Sequence, residues 1–299
     1  MRILSGPSLR ERTTLGIGGR VQAEVCIEQG ADWDAAHAFM CREGLSPLIL
    51  GRGSNLLVQD RDLPLSLLSL PGGRAEVVQD RSGEQGVVVR IPAGTSLPGF
   101  LKWLQEHGLA GLEGLAGIPA SVGGAVAMNA GSFGQSVGES VHRIQVWSAH
   151  TGLIWIQARD MDVTYRQCRL PGLGPVWGIN QVEFCLTPGD GLGIKERMQQ
   201  CLHTKKQTQP VQHRTCGCTF KNPEQAAAGW LLDRCGLRGA RCGDMSFSAM
   251  HANFLVNAGQ GSFAQAWELI SRARESVLAG YGLDLDLEVQ IVDPRASAS

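Results

Sequence analysis

Two glycine loops carry the residues whose types and spacing could do chemistry. The first is Leu50-Gly51-Arg52-Gly53-Ser54-Asn55-Leu56-Leu57. A strand, a glycine turn with a serine and an asparagine, and then more apolar residues can aim main-chain N–H groups at a phosphate. The second is Gly117-Ile118-Pro119-Ala120-Ser121-Val122-Gly123-Gly124-Ala125, continuing through Met128-Asn129-Ala130-Gly131. A glycine pair after a proline-fixed turn lets a diphosphate approach the main chain. Neither loop has Gly-x-Gly-x-x-Gly at a strand-to-helix turn, so a Rossmann site is not supported. Neither contains Gly-Lys-Ser/Thr, so a P-loop is excluded. Two readings stand side by side: a pair of tight turns, or a paired cradle for a diphosphate.

The cysteines form the other cluster. Nine is an odd number, and residues 1–14 are polar, without the apolar stretch of a secretion signal. Reduced thiols in the cytoplasm are therefore expected. Cys216, Cys218, Cys235 and Cys242 lie close in sequence, with His203 and His213 upstream. Common zinc sites use two pairs spaced two to four residues apart. Here the close pair is Cys-x-Cys and no second pair follows, so no metal is expected. Cys235 and Cys242 read as small buried hydrophobes.

Stepping along the chain, Asp32 to Glu43 reads as a helix with Trp33, Ala36, Phe39 and Met40 on one face. Residues 48–50 and 56–58 read as strands around the first loop. Residues 70–85, rich in Gly, Arg and Asp, read as a loop or linker. A strand over 87–91 and a helix over 97–106 lead into the second loop. Strand-like runs follow at 141–147, 153–157 and 176–184, and 189–193 reads as a linker. Helices are then expected over 194–208 and 225–235, with a strand at 253–256. Ser262 is a good N-cap for a helix with Phe263, Ala266, Trp267, Ile270, Ala273 and Val277 on one face. A last strand is expected over 285–292. This order implies α+β, in parts 1–70, 71–190 and 191–299. The tail 295–299 is of low complexity.

Composition narrows the class. A chain of 299 residues is long for one core. Thirty-nine glycines with ordinary hydrophobicity suggest backbone brought close to a ligand. A net charge of −1 argues against nucleic acid as a partner. No apolar run is long enough to span a bilayer, so no membrane partner is expected.

Taken with further motifs, the loops resemble signatures of the UDP-N-acetylenolpyruvoylglucosamine reductases. Thr14-Leu15-Gly16-Ile17-Gly18-Gly19, loop 50–57, run 114–131, Tyr165-Arg166, Gln209-Pro210, 216–223 and 251–257 occur in that family's order. They span residues 13–292. The resemblance implies a two-part FAD-binding region of the vanillyl-alcohol-oxidase (PCMH) type, 1–70 and 71–190. A C-terminal α+β substrate-binding domain, 191–299, would follow. It implies that NADPH reduces FAD, which then reduces the enolpyruvyl ether of a UDP-sugar to UDP-N-acetylmuramate for peptidoglycan. Gly51, Gly53, Ser54, Asn55, Gly117, Ile118, Ser121, Gly123, Gly124, Ala125 and Asn129 would bind FAD. The short connection from Tyr165 to Val176 is similar to the family's shorter class, without an inserted tyrosine-bearing loop. A monomer is expected, with an oligomer left open.

The same resemblance assigns the chemistry. Reduction of the enol develops negative charge on the α-carbon and its carboxylate, which calls for a fixed cation and then a proton. Arg166 of Tyr165-Arg166 would hold the carboxylate, with Tyr165 at the substrate. Glu288, alternating with apolar neighbours so that Asp286 shares its side, would stabilise the enolate. The family commonly has serine as proton donor in Gly-Ser-x-Phe-x-Asn-Pro. Here Cys218 stands there in Gly217-Cys218-Thr219-Phe220-Lys221-Asn222-Pro223. A thiol is more acidic than an alcohol and is still largely protonated near neutral pH at its ordinary pKa, so Cys218 is the expected donor. Asn222 and Lys205 would contact substrate, with Lys206 an equal choice for the phosphate. Ala120, Cys168 and Met250 depart from the family's usual glycine, serine and lysine.

Overall fold

The computed structural model describes residues 1–81, 86–173 and 176–293. The tail 295–299 lies outside the described residues, as does the end of the expected loop 70–85. The chain forms two compact units. Unit 1 takes Met1–Ser5, Ala23–Arg52 and Ser66–Thr204; unit 2 takes Gly6–Gln22, Gly53–Leu65 and Lys205–Ser299.

The main sheet of unit 1 runs in the order Gly152–Gln157, Val141–Ser148, Val176–Pro188, Gly86–Pro92, Glu76–Arg81, with antiparallel neighbours. Alternation on these strands buries Val89, Ile91, Val182 and Phe184 on one face. Helix Leu97–Glu106 closes that face with Leu97, Phe100, Leu101 and Leu104. Phe100 packs against Phe184 at 5.4 Å between ring centroids. On the alternate positions, buried Glu183 accepts from Arg90 and Arg143, and the Arg143 guanidinium lies 4.4 Å from the centre of the Trp155 ring. A smaller sheet takes Arg2–Ser5, the later parts of Val21–Cys26 and Leu63–Ser69, and Ser46–Ile49. Helix Asp32–Glu43 forms as its period predicts. Trp33, Ala36 and Met40 are buried against Val25 and Leu68, and Gly44 ends the helix in the left-handed region.

Unit 2 has a sheet in the order Arg214–Cys218, Phe254–Asn257, Met245–Phe247, Arg241–Cys242. Helix Phe263–Tyr281 packs on its core through Ala266, Leu269, Ile270, Ala273 and Val277. Its start is fixed locally: Ser262 Oγ accepts from Gln265 N while Gln265 Oε1 accepts from Ser262 N. Leu56–Val58 pairs in parallel with Gln290–Val292.

Several expectations need correction. The glycines of 189–193 do not make a linker: helix Gly191–Thr208 begins there, because Asp190 accepts from Leu192 N and Gly193 N. Part of 70–85 is the edge strand Glu76–Arg81. The helix expected over 225–235 is Ala228–Arg234, since Asn222 Oδ1 meets the first free donor at Ala228 N. Trp267 is 39% exposed, stacked on Phe263, and Leu269 takes its place in the core. The final strand is only Gln290–Val292. Glu288 N and Val289 N both donate to Thr219 O, which bends the chain. Asp286 is exposed and Glu288 half-buried, so strict alternation fails there.

Candidate active site

Within loop 50–57, residues 51–55 leave their main-chain donors unspent. Among the described residues, no main-chain carbonyl accepts from the N–H groups of residues 51–55. Gly53 is left-handed, φ 61°, and a Cβ there would run into Arg12 O. Gly53 O accepts from Thr14 N at 3.1 Å, and Thr14 Oγ1 donates to Thr215 O at 2.6 Å. A run of free N–H groups around a left-handed residue suits an anion, which fits the diphosphate of FAD. Asn55 is spent otherwise: Nδ2 donates to Glu288 O at 3.0 Å and its carbonyl accepts from Gln290 N.

The second loop behaves differently. Val122 N donates to Thr95 O, Gly123 N to Ala93 O, Gly124 N to Ser121 Oγ and Ala125 N to Ser121 O. The start of helix Val122–Ala127 is therefore satisfied within the protein. Gly123 is small because a Cβ would lie 2.7 Å from the Ala93 Cβ. Ahead of the helix, Gly117 is exposed with φ 85°. Asn129 is buried, with Nδ2 donating to Thr164 O and Oδ1 accepting from Gly138 N.

Tyr165 and Arg166 form the two-residue turn between strands Asp162–Thr164 and Gln167–Arg169. Arg166 has φ 58°, and its Nη2 donates to Gly131 O at 3.0 Å. Its guanidinium carbon lies 4.9 Å from the centre of the Tyr165 ring, a cation–π contact that limits how far it swings. Tyr165 is exposed.

In unit 2, a bulge sets the direction of Cys218. Thr215 pairs with Val256 and Cys218 with Phe254, so Cys216 and Gly217 together face Leu255. Gly217 has φ 78°. Residues two apart on a regular strand share a face; the extra residue breaks that rule. Cys216 is fully buried, and burial pushes its thiol up to about 12. Cys218 is half-buried. The next peptides are tied on both sides. Thr219 O accepts from Glu288 N at 2.9 Å, and Lys221 N donates to Asp286 O. Asn253, 1% exposed, accepts from Phe220 N at 2.9 Å and donates to Phe220 O at 2.8 Å.

Cys218, Glu288 and Asn55 are thus linked through adjacent main chain within unit 2, while Tyr165, Arg166 and Asn129 share a patch of unit 1. Of the paired lysines, Lys205 is buried and Lys206 exposed. Asn222 is exposed and its carbonyl oxygen caps a helix. Asn253 was missed by sequence reasoning: an asparagine in an apolar strand has no local signature of a two-sided bridge. His251 stacks edge-on with Phe254, and burial lowers its pKa, so it is a neutral acceptor for Asn253 N. Among the described residues, no group of three or more His, Cys, Asp or Glu could hold a metal ion, and no helix is long and apolar enough to cross a membrane.

Comparison with known proteins bears on this geometry. Residues 21–156 match the model of an FAD binding domain, and residues 209–292 that of the UDP-N-acetylenolpyruvoylglucosamine reductase C-terminal domain. The chain is 44% identical to the UDP-N-acetylenolpyruvoylglucosamine reductase of Nitratidesulfovibrio vulgaris, over 98% of this chain and 99% of that one. It is 43% identical to that of Oleidesulfovibrio alaskensis, over 97% of each. The crystal structure of the Thermus caldophilus reductase superimposes with a TM-score of 0.81 at 33% identity, covering 98% of this chain and 100% of that one.

Proposed function

The chain belongs to the UDP-N-acetylenolpyruvoylglucosamine reductase family, and from that premise we propose that Arg166, Cys218 and Glu288 carry its chemistry. The protein is an FAD-dependent oxidoreductase. With NADPH as reductant, it reduces UDP-N-acetylglucosamine enolpyruvate to UDP-N-acetylmuramate for peptidoglycan. FAD, when bound, would supply hydride-transfer chemistry between NADPH and the enolpyruvyl group.

The chain's own residues do the rest. Loops 51–54 and 117–125 hold the cofactor, the first through its unspent N–H groups. Arg166 binds the substrate carboxylate and balances the charge that builds on it, an interaction that a planar guanidinium makes with two parallel hydrogen bonds. Cys218 holds its proton at Sγ and gives it to the α-carbon. Glu288 stabilises the enolate by donating a hydrogen bond from its protonated carboxyl. Tyr165, Lys205 and Asn222 contact the UDP-sugar, within a substrate-binding segment of 191–299 for the last two. A thiol donor must stay reduced, which suits a cytoplasmic enzyme; we propose that it works there as a monomer.

Full-length identity of 44% to a reductase of this name is the observation that carries the reading. The test is NADPH oxidation by the FAD-loaded protein, with and without UDP-N-acetylglucosamine enolpyruvate. Consumption that depends on the UDP-sugar is expected. Cys218→Ala should lower turnover by about a hundredfold or more, the usual worth of a placed proton donor, and Cys218→Ser should restore much of it. Full turnover in Cys218→Ala would remove the cysteine from this role.

A further inference from the structure

We infer that Asn129 is the positioning residue for Arg166. The inference rests on the reading of Arg166 as the group that binds the substrate carboxylate. Among the described residues, the non-glycine residues with positive φ are Asn129, Phe133 and Arg166. They fall in one patch of unit 1. Left-handed backbone at a side-chain-bearing residue persists only where its surroundings hold it, and the contacts that hold Arg166 are visible.

Two of them matter. Gly131 O accepts from Arg166 Nη2 and fixes the guanidinium end. Asn129 Nδ2 donates to Thr164 O at 2.8 Å and fixes the strand end just before the turn. Thr164 pairs with Gln167, so the bond anchors the pair that closes the hairpin. Asn129 is anchored in turn by Gly138 N, which donates to its Oδ1 at 3.1 Å. Gly138 must be small: a Cβ there would lie 2.8 Å from both Asn129 Oδ1 and Val163 Cγ1. Asn129 itself is 8% exposed and has φ 39°.

The chemistry of the side chain fits the task. One amide supplies a donor for Thr164 O and an acceptor for Gly138 N at once. Aspartate keeps the acceptor and faces the Thr164 carbonyl with negative charge. Alanine loses both. Asparagine also tolerates the left-handed region better than most residues. With both ends of the amide spent on protein, Asn129 acts on the substrate through Arg166.

A carboxylate-specific readout separates this role from a structural one. UDP-N-acetylmuramate carries the lactyl carboxylate, and UDP-N-acetylglucosamine does not. Their affinities are read by titrating the flavin absorbance of FAD-loaded wild type, Asn129→Asp, Asn129→Ala and Arg166→Ala. Because the Asn129 amide is bonded to Thr164 O and Gly138 N, we place it with Arg166 rather than with FAD as the resemblance implied. Both Asn129 variants should keep full flavin content, with turnover lower by about tenfold to a hundredfold, weaker binding of UDP-N-acetylmuramate, and unchanged binding of UDP-N-acetylglucosamine. In the Asn129→Ala/Arg166→Ala double variant, the asparagine change should cost nothing further. Equal loss for the two ligands, loss of flavin, or additive effects would overturn the role; Asn129→Asp, close to isosteric, decides the matter if Asn129→Ala does not fold. If Arg166→Ala binds both ligands as wild type does, the reading of Arg166 fails, and the role of Asn129 fails with it.

Discussion

Arg166 and Cys218 are both presented by left-handed backbone, but the two regions build it differently. In unit 1 the side chain proposed to act sits on the left-handed residue itself, at φ 58°. In unit 2 it sits one residue after Gly217, which takes φ 78° without steric cost. A left-handed residue with a Cβ costs about 1–2 kcal/mol. The first arrangement therefore depends on neighbours, Asn129 and Gly131, that hold the turn against its preference. The second is absorbed by glycine, and the chain after it is tied by amide hydrogen bonds. The supports also differ in kind: the main sheet of unit 1 carries buried Glu183 between partly exposed Arg90 and Arg143, whereas unit 2 relies on neutral Asn253. Strain borne by the functional residue and strain displaced onto a neighbour should fail in different ways.

The largest effect should come from Asn253→Ala. It leaves the Phe220 N–H and C=O without their side-chain partner, at about 1–3 kcal/mol for each buried group. We expect thermal unfolding to drop by several degrees and turnover to fall with it. A variant that melts like wild type would mean that the strand of unit 2 does not need its bridge.

A smaller loss is expected from Gly217→Ala, which forces a Cβ into φ 78° and should cost about 1–2 kcal/mol. The matched change in unit 1, Arg166→Gly, should relieve strain while losing turnover. Stability measured by urea unfolding should move in opposite directions for the pair. Movement in the same direction would break the comparison.

The smallest effect separates the two supports by pH. Burial pushes the Glu183 carboxyl up, but hydrogen bonds from Arg143 and then Arg90 outweigh it and hold the group below its ordinary 4.5. A lowered folded value gives stability that is complete above the unfolded pKa and is lost as pH falls through the folded one. Below about pH 4.5, melting of the wild type should therefore fall more steeply than that of Glu183→Gln. Parallel curves would show that the cluster adds nothing to the acid response.

The family was legible in the residues: the order of motifs named it, and the roles proposed for Tyr165-Arg166, Cys218 and Glu288 rest on their places in that order. The geometry was not legible. Nothing in the residues 216–218 marks the bulge that buries Cys216 and leaves Cys218 half-buried. Likewise 285–292 reads as one strand, and the double use of Thr219 O bends it at Glu288. The run 189–193 reads as a linker because glycine weakens helices, yet Asp190 supplies the missing cap.

By itself the sequence determined what local physics controls. Helix Asp32–Glu43 follows from its apolar period, and helix Phe263–Tyr281 follows from Ser262, Gln265 and Gly282, whose partners lie within four residues. Residue types also determined which chemistry was available: a guanidinium, a thiol and a carboxyl. Only the tertiary structure decided where those groups point. Their direction rests on Asn129 with Thr164, Asn55 with Glu288, and Asn253 with Phe220, bonds that join residues 35, 233 and 33 positions apart. Each such bond exists only after the chain has closed a long loop, so no local pattern of residues encodes it.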